Sequence, residues 1–205
     1  MLEILSKLQS VLQPSIPSSV TFMLAQNIIL IGFMGSGKSS IGKQLSRRLG
    51  YDYLDTDDLI VSKAGKSITT IFETEGEPSF REFETEILEE FLLSSKKNFV
   101  LSTGGGIILS EKNQPLLKSL GIVIWLDASP DVLFERATRQ TKRPLLEVEY
   151  PRRTFNELLA KRLSLYRETC DIEIDTTCLS YSQTIEAILN NFEETSTLDK
   201  NFPLS

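Results

Sequence analysis

Ile28-Ile29-Leu30-Ile31-Gly32-Phe33-Met34-Gly35-Ser36-Gly37-Lys38-Ser39 is the stretch on which the fold turns. Its first four residues form a short apolar run without alternation, the pattern of a parallel strand buried on both faces. The eight that follow match G-x-x-x-x-G-K-[ST] at a junction of strand and helix, the context in which such a loop works. Glycines let the backbone curl until several N–H groups face one anion, and the next helix brings its positive dipole end to the same point. Lys38 adds a mobile positive charge. Ser39 offers a hydroxyl to Mg²⁺, the ion that bridges nucleotide phosphate oxygens. The stretch therefore marks a nucleoside-triphosphate site and leaves kinase, GTPase and motor ATPase open.

Outward from this junction, similar apolar runs recur at Asn98-Phe99-Val100-Leu101-Ser102 and Ile122-Val123-Ile124-Trp125-Leu126. Tyr51–Leu54 and Ile172–Asp175 read as further strands. Helical patterns fall at about 41–49, 79–95, 111–119, 130–139, 154–168 and 181–192. Strands alternating with helices predict a parallel α/β sheet covered on both faces. Ahead of it, Leu2, Leu5, Leu8, Val11 and Leu12 form a weak helical pattern that ends in Pro14, Pro17 and nearby serines. Lys7 among polar residues does not make a secretory signal. We therefore expect residues 1–26 to be a nonessential extension, 27–192 to be the folded domain, and 193–205 to be a flexible tail.

The 205-residue length suits one core, and no apolar run approaches the roughly 18 residues that cross a bilayer. A net charge of -6 argues against a broad nucleic-acid surface, though not against a few cations converging on a small anion. Histidine is absent and the two cysteines, Cys170 and Cys178, lack companion ligands, which removes support for zinc, haem and histidine-based catalysis. Their spacing leaves a disulfide open; reduced, structural thiols are the expectation.

The acceptor side begins at Asp55-Thr56-Asp57-Asp58, beyond a strand whose carboxyl end is where open α/β sheets bind ligands. If the strand continues to Asp57, both Asp55 and Asp57 point to one side, one to serve Mg²⁺ through water and the other to accept from a hydroxyl. Pro78 suits the first turn of a helix that sets Arg81 and Glu84 three residues apart on one face. Thr103-Gly104-Gly105-Gly106 supplies a second backbone able to approach a ligand closely. A solvated acidic loop, a surface ion pair and a plain turn are the bland readings of these three features.

Taken with Arg143-Pro144-Leu145-Leu146 and Lys161-Arg162-Leu163-Ser164-Leu165-Tyr166-Arg167, these segments resemble the shikimate kinase family in content and order over about residues 27–190. The resemblance implies a P-loop kinase fold: a five-stranded parallel sheet with helices on both faces, a substrate-binding segment at about 55–95 and a mobile lid at about 138–151. It implies transfer of the ATP γ-phosphate to the 3-hydroxyl of shikimate, in the route to chorismate and the aromatic amino acids. By position, Gly35, Ser36, Gly37, Lys38, Ser39, Ser40, Arg139 and Arg143 would bind ATP. Asp57, Arg81, Gly105 and Arg162 would bind shikimate, with Lys38, Asp57 and Arg143 catalytic. Ser39 and Asp55, the latter through water, would serve Mg²⁺. A cytoplasmic monomer without nucleic-acid or membrane partners is expected.

Gluconate and nucleotide kinases share the cradle, but are not expected to combine the Phe80-Arg81-x-x-Glu84 helix with the triple glycine and Lys161-Arg162. A binding protein that had lost turnover would show damage at Lys38, Asp57 or Arg143, and all three are present.

Overall fold

The structure, a computed structural model, describes residues 27–139 and 148–198, with side chains as far as Asn191. The elements run β1 (Asn27–Ile31), α1 (Lys38–Leu49), β2 (Asp52–Asp55), α2 (Thr56–Ala64), α3 (Ile68–Thr74) and α4 (Gly76–Ser94). They continue with β3 (Phe99–Ser102), a short 3₁₀ turn (Ile107–Leu109), α5 (Asn113–Leu120), β4 (Gly121–Asp127) and α6 (Pro130–Arg139). Beyond the undescribed stretch come α7 (Pro151–Ala160), α8 (Leu163–Thr169), β5 (Ile172–Asp175) and α9 (Tyr181–Leu198).

All strand pairs are parallel, in the order β2-β3-β1-β4-β5. β1 is buried throughout because its side chains feed two cores. Ile28 and Leu30 pack with Ile41, Leu45, Ile185 and Ile188 of α1 and α9, whereas Ile29 and Ile31 pack with Phe33, Trp125, Phe155 and Tyr166. With apolar helices on both sides of the sheet, the strand gains from an apolar residue at every position, which accounts for the missing alternation. From β1 the chain passes through α1 to β2 on one side, and from β3 it crosses through α5 to β4 on the other side of β1. The crevice of such a sheet opens over the carboxyl end of β1, where the glycine-rich loop lies.

Two local expectations are corrected. β2 does not continue to Asp57: it ends at Asp55, whose side chain accepts a hydrogen bond from the Asp57 N–H at 3.1 Å and so caps α2. Asp55 and Asp57 are thus an N-cap and a first-turn residue, a placement that favours acids at a helix N-terminus, and the shared strand parity does not exist. The helix read over 154–168 is two helices. At their junction the Arg162 N–H bonds back to Leu159 O, three residues away, in a tightened final turn.

Helices α2 and α3 had no counterpart in the sequence reading. With α4 they bury a small separate core of Ile60, Ile71, Phe80 and Ile87, which carries the acceptor-side residues beside the main sheet. Helix α9 runs past residue 192, to Leu198. Cys170 and Cys178 are both free thiols. Among the described residues no helix is long and apolar enough to cross a membrane.

Candidate active site

The cradle is built locally. Gly37 precedes α1 with φ 92° and no side chain caps the helix start, which leaves that end suited to an anion. The Lys38 ammonium folds back over the loop, donating to Gly32 O at 2.7 Å, Phe33 O at 3.1 Å and Ser36 Oγ at 3.3 Å. Ser39 Oγ donates to Asp55 Oδ2 at 3.2 Å and lies 3.4 Å from Ser102 Oγ. The Tyr53 hydroxyl donates to the same Asp55 oxygen at 2.9 Å. With the Asp57 N–H on its other oxygen, the Asp55 carboxylate is held by three donors. Burial and the neighbouring Asp55 charge push the Tyr53 hydroxyl up to about 12, so it remains a donor at neutral pH.

A cleft of about 330 Å³ opens over the loop, within the size range of small-molecule sites. Gly35, Gly37, Lys38, Ser39 and Ser40 form one wall. Asp55, Asp57, Gly104 and Gly105 form a second, and Arg136, Arg139 and Tyr181 a third.

The second wall is assembled over long range on the glycine turn that follows β3. The Gly104 N–H donates to Thr56 Oγ1 at 2.9 Å, tying the turn to α2. A Cβ on Gly104 would stand 2.9 Å from Glu84 Oε1 and 3.0 Å from Asp57 Oδ1. One on Gly106 would stand 2.5 to 2.7 Å from the Arg81 guanidinium. At both positions a side chain would evict a charged group. Arg81 is held by Glu77, at 2.7 Å from Nη2, and by the fully buried Glu84, at 2.7 Å from Nη1. Arg162 is also buried; its Nη1 donates to Gly105 O at 3.2 Å, and its guanidinium lies over the Phe33 ring.

Two oxygens here, Asp57 Oδ1 and Glu84 Oε1, are buried and have no hydrogen-bond partner among the described residues. Burial is the main cause of the raised pKa of both acids. Asp57 is pushed up to about 6, with Asp55 adding to the rise and Lys38 opposing it. Glu84 is pushed up to about 7 against the pull of Arg81. An Asp near 6 on a cleft wall is ionised at neutral pH yet still basic enough to receive a proton.

Of the sequence-derived candidates, Gly35, Gly37, Lys38, Ser39, Ser40, Asp55, Asp57, Gly105 and Arg139 line the cleft. Ser36 sits beneath, against Lys38. Arg81 and Arg162 contact the glycine turn from outside that lining. Arg143 and residues 140–147 of the expected lid lie outside the described residues. Sequence reading missed Arg136 and Tyr181. Arg136 is three residues before Arg139 on one helix, a spacing that shares a face. Tyr181 opens the helix after β5, again at the ligand edge of the sheet. Arg136 donates to the Thr176 hydroxyl and carbonyl at 3.1 and 3.0 Å.

A phosphate cradle on the central strand of a parallel sheet, with acids and arginines gathered on the adjoining turn, defines a P-loop kinase. The architecture is shared with a gluconokinase from Sinorhizobium meliloti, at 17% identity over 87% of this chain and 99% of that one, with a TM-score of 0.56. That likeness concerns the fold alone. The shikimate kinase family model matches residues 34–193, and the chain belongs to that family. It is 43% identical to the shikimate kinase of Thermodesulfovibrio yellowstonii over 171 residues, 83% of this chain and 97% of the relative. A solved structure of shikimate kinase from Acinetobacter baumannii in complex with shikimate superposes with a TM-score of 0.78, at 40% identity, covering 86% of this chain and 98% of that one.

Proposed function

We propose that this chain transfers the γ-phosphate of ATP to the 3-hydroxyl of shikimate, forming shikimate 3-phosphate and ADP. One observation carries the reading: the Gly104–Gly106 turn gathers Asp57, Arg81, Glu84 and Arg162 beside the phosphate cradle. Shikimate has one carboxylate and several hydroxyls. Guanidinium forks at Arg81 and Arg162 suit the acid, and the partnerless Asp57 Oδ1 suits a hydroxyl as acceptor.

Phosphoryl transfer asks a protein mainly for positioning and charge stabilisation. The backbone from Gly35 to Ser40 holds the phosphates, and Lys38 turns from the loop carbonyls to the β- and γ-phosphates. Asp57 orients the acceptor hydroxyl and takes its proton as the new bond forms. Arg143 closes on the transferring group with the lid. Arg136, Arg139 and Tyr181 form the wall for the nucleoside end, where arginine planes and an aromatic face suit a purine.

The donor set also fits Mg²⁺. Ser39 and Asp55 present hard oxygens 3.2 Å apart on the cleft wall, and such ions take one or two protein oxygens with the rest from phosphate and water. Bound there, Mg²⁺ would offset charge on the phosphate oxygens. The reading includes a cytoplasmic monomer with ATP and shikimate as its partners, and the net charge of -6 argues against a broad nucleic-acid surface. Phosphorus NMR of the product tests the chemistry: a single phosphomonoester on the 3-hydroxyl is expected. Phosphate on another hydroxyl, or release of inorganic phosphate alone, would overturn it.

A further inference from the structure

The Gly105 carbonyl takes two donors from one short helix region. Arg162 Nη1 reaches it at 3.2 Å and the Tyr166 hydroxyl at 2.5 Å. Tyr166 is fully buried, and its ring stacks on Trp125 of β4 with centroids 5.7 Å apart at 18°. The hydroxyl is therefore fixed by the sheet, not by a surface loop. The turn also meets the cradle: a Cβ on Gly105 would stand 3.4 Å from Gly32 O, 3.6 Å from Met34 N and 3.7 Å from the Tyr166 hydroxyl. Gly105 thus packs in ordinary contact with both the first residues of the cradle and the Tyr166 hydroxyl.

We propose that Tyr166 is a positioning residue for the acceptor subsite, its hydroxyl sharing the Gly105 carbonyl with Arg162 Nη1 and so fixing a guanidinium whose other N–H groups serve the substrate acid. A buried tyrosine hydroxyl needs some acceptor, and satisfaction alone would explain the bond. Here the acceptor belongs to the ligand-facing turn and is shared with the arginine assigned to the substrate. Remove the hydroxyl, and Arg162 becomes the carbonyl's remaining side-chain donor, drawn toward Gly105 and away from the acid. The nucleotide side depends on Lys38, Ser39 and the cradle backbone, none of which Tyr166 bonds in these contacts. The inference rests on the function proposed above.

The test is Tyr166→Phe in the full chain, which removes one oxygen and keeps the ring stack. Trp125→Phe serves as the comparison, trimming the stack while keeping the hydroxyl. Melting temperature, MgATP Kd and shikimate KM are measured for all three proteins. Tyr166→Phe should raise shikimate KM by about 3- to 10-fold, the worth of one hydrogen bond, with MgATP Kd changed by less than about twofold. Trp125→Phe should lose stability without that selective rise. Unchanged shikimate KM in Tyr166→Phe, a parallel weakening of MgATP, or an equal rise in Trp125→Phe would overturn the inference. A wild-type chain without shikimate-dependent ADP formation would overturn the proposed function and this inference together, whereas an active wild type isolates the Tyr166 claim.

Discussion

The phosphate cradle and the acceptor turn face the same cleft but are built in opposite ways. Lys38 is tied to Gly32 and Phe33, six and five residues away, within one strand–loop–helix unit. The acceptor turn is tied to Thr56, Arg162 and Tyr166 across 48, 57 and 61 residues, and to Asp57, Glu84 and Arg81 by close approach. A general nucleotide grip thus comes as a local module. The grip proposed for the acceptor exists only when α2, α4, α8 and the end of β3 have docked. Damage to the first should affect ATP and every acceptor alike, whereas damage to the second should affect shikimate while sparing ATP.

The largest effect is expected at Arg143, the arginine proposed to act on the transferring phosphate. If Arg143 closes over the transferring phosphate, Arg143→Ala should lower kcat by on the order of 10³-fold, the scale of an arginine that stabilises phosphoryl transfer. Steady-state kinetics would read this directly, and unchanged constants would make Arg143 a surface charge. Next comes Asp57→Asn, which keeps the size and one acceptor oxygen but loses the charge. Turnover should fall by about 10²-fold or more while MgATP Kd changes little. An equally large loss of MgATP binding would move Asp57 from the acceptor side to the metal side of the comparison.

How far each region was legible follows from the same contrast. The cradle and β1 can be read from residues 28–39 because the chemistry and the geometry share one short segment, and the parallel sheet from the similar apolar runs that alternate with helical patterns along the chain. Asp55 and Asp57 do lie at the carboxyl edge of β2, but strand parity does not relate them: the two-residue spacing also fits an N-cap and a first helical turn, and it gives no sign of the cap. Helices α2 and α3 escaped because their apolar residues, Ile60 and Ile71, face a small satellite core and leave only a weak periodicity. The triple glycine had a plain turn as its bland reading. Its steric role appears only when Arg81 and Glu84 arrive from another helix. Arg136 and Tyr181 carry only a weak local signal, the spacing from Arg139 and the helix start after β5, and long-range docking gives Tyr166 its meaning.

Two smaller effects would sharpen the comparison. Gly106→Ala places a methyl group within 2.7 Å of the Arg81 guanidinium, so Arg81 must move. Overpacking of this kind costs about 1–3 kcal/mol, and shikimate KM should rise about 10-fold with MgATP Kd preserved. Equal weakening of both ligands would show that the turn and the cradle behave as one unit. The second effect concerns stability alone. Glu84 is faced by Arg81, Asp57 and Arg162, and burial raises it from its ordinary 4.5 to about 7.

A folded-state pKa raised above the unfolded value favours folding most when the group is protonated. The Glu84 contribution is therefore full below about pH 4.5 and is lost as pH rises through about 7, by on the order of 3 kcal/mol. Denaturation of the ligand-free chain at several pH values should show this decline on top of the one from Asp57, raised to about 6, and Glu84→Gln should reduce it. A decline of the same size in Glu84→Gln would assign it to other groups.

In the proposed function the acceptor turn selects shikimate among the acceptors of kinases with such a cradle, so acceptor choice tests the account most directly. Coupled measurement of ADP formation by the full chain with shikimate, gluconate or AMP should give turnover that depends on shikimate and is not supported by the other two. Equal turnover of gluconate would contradict the assignment of the Asp57, Arg81 and Arg162 turn to shikimate.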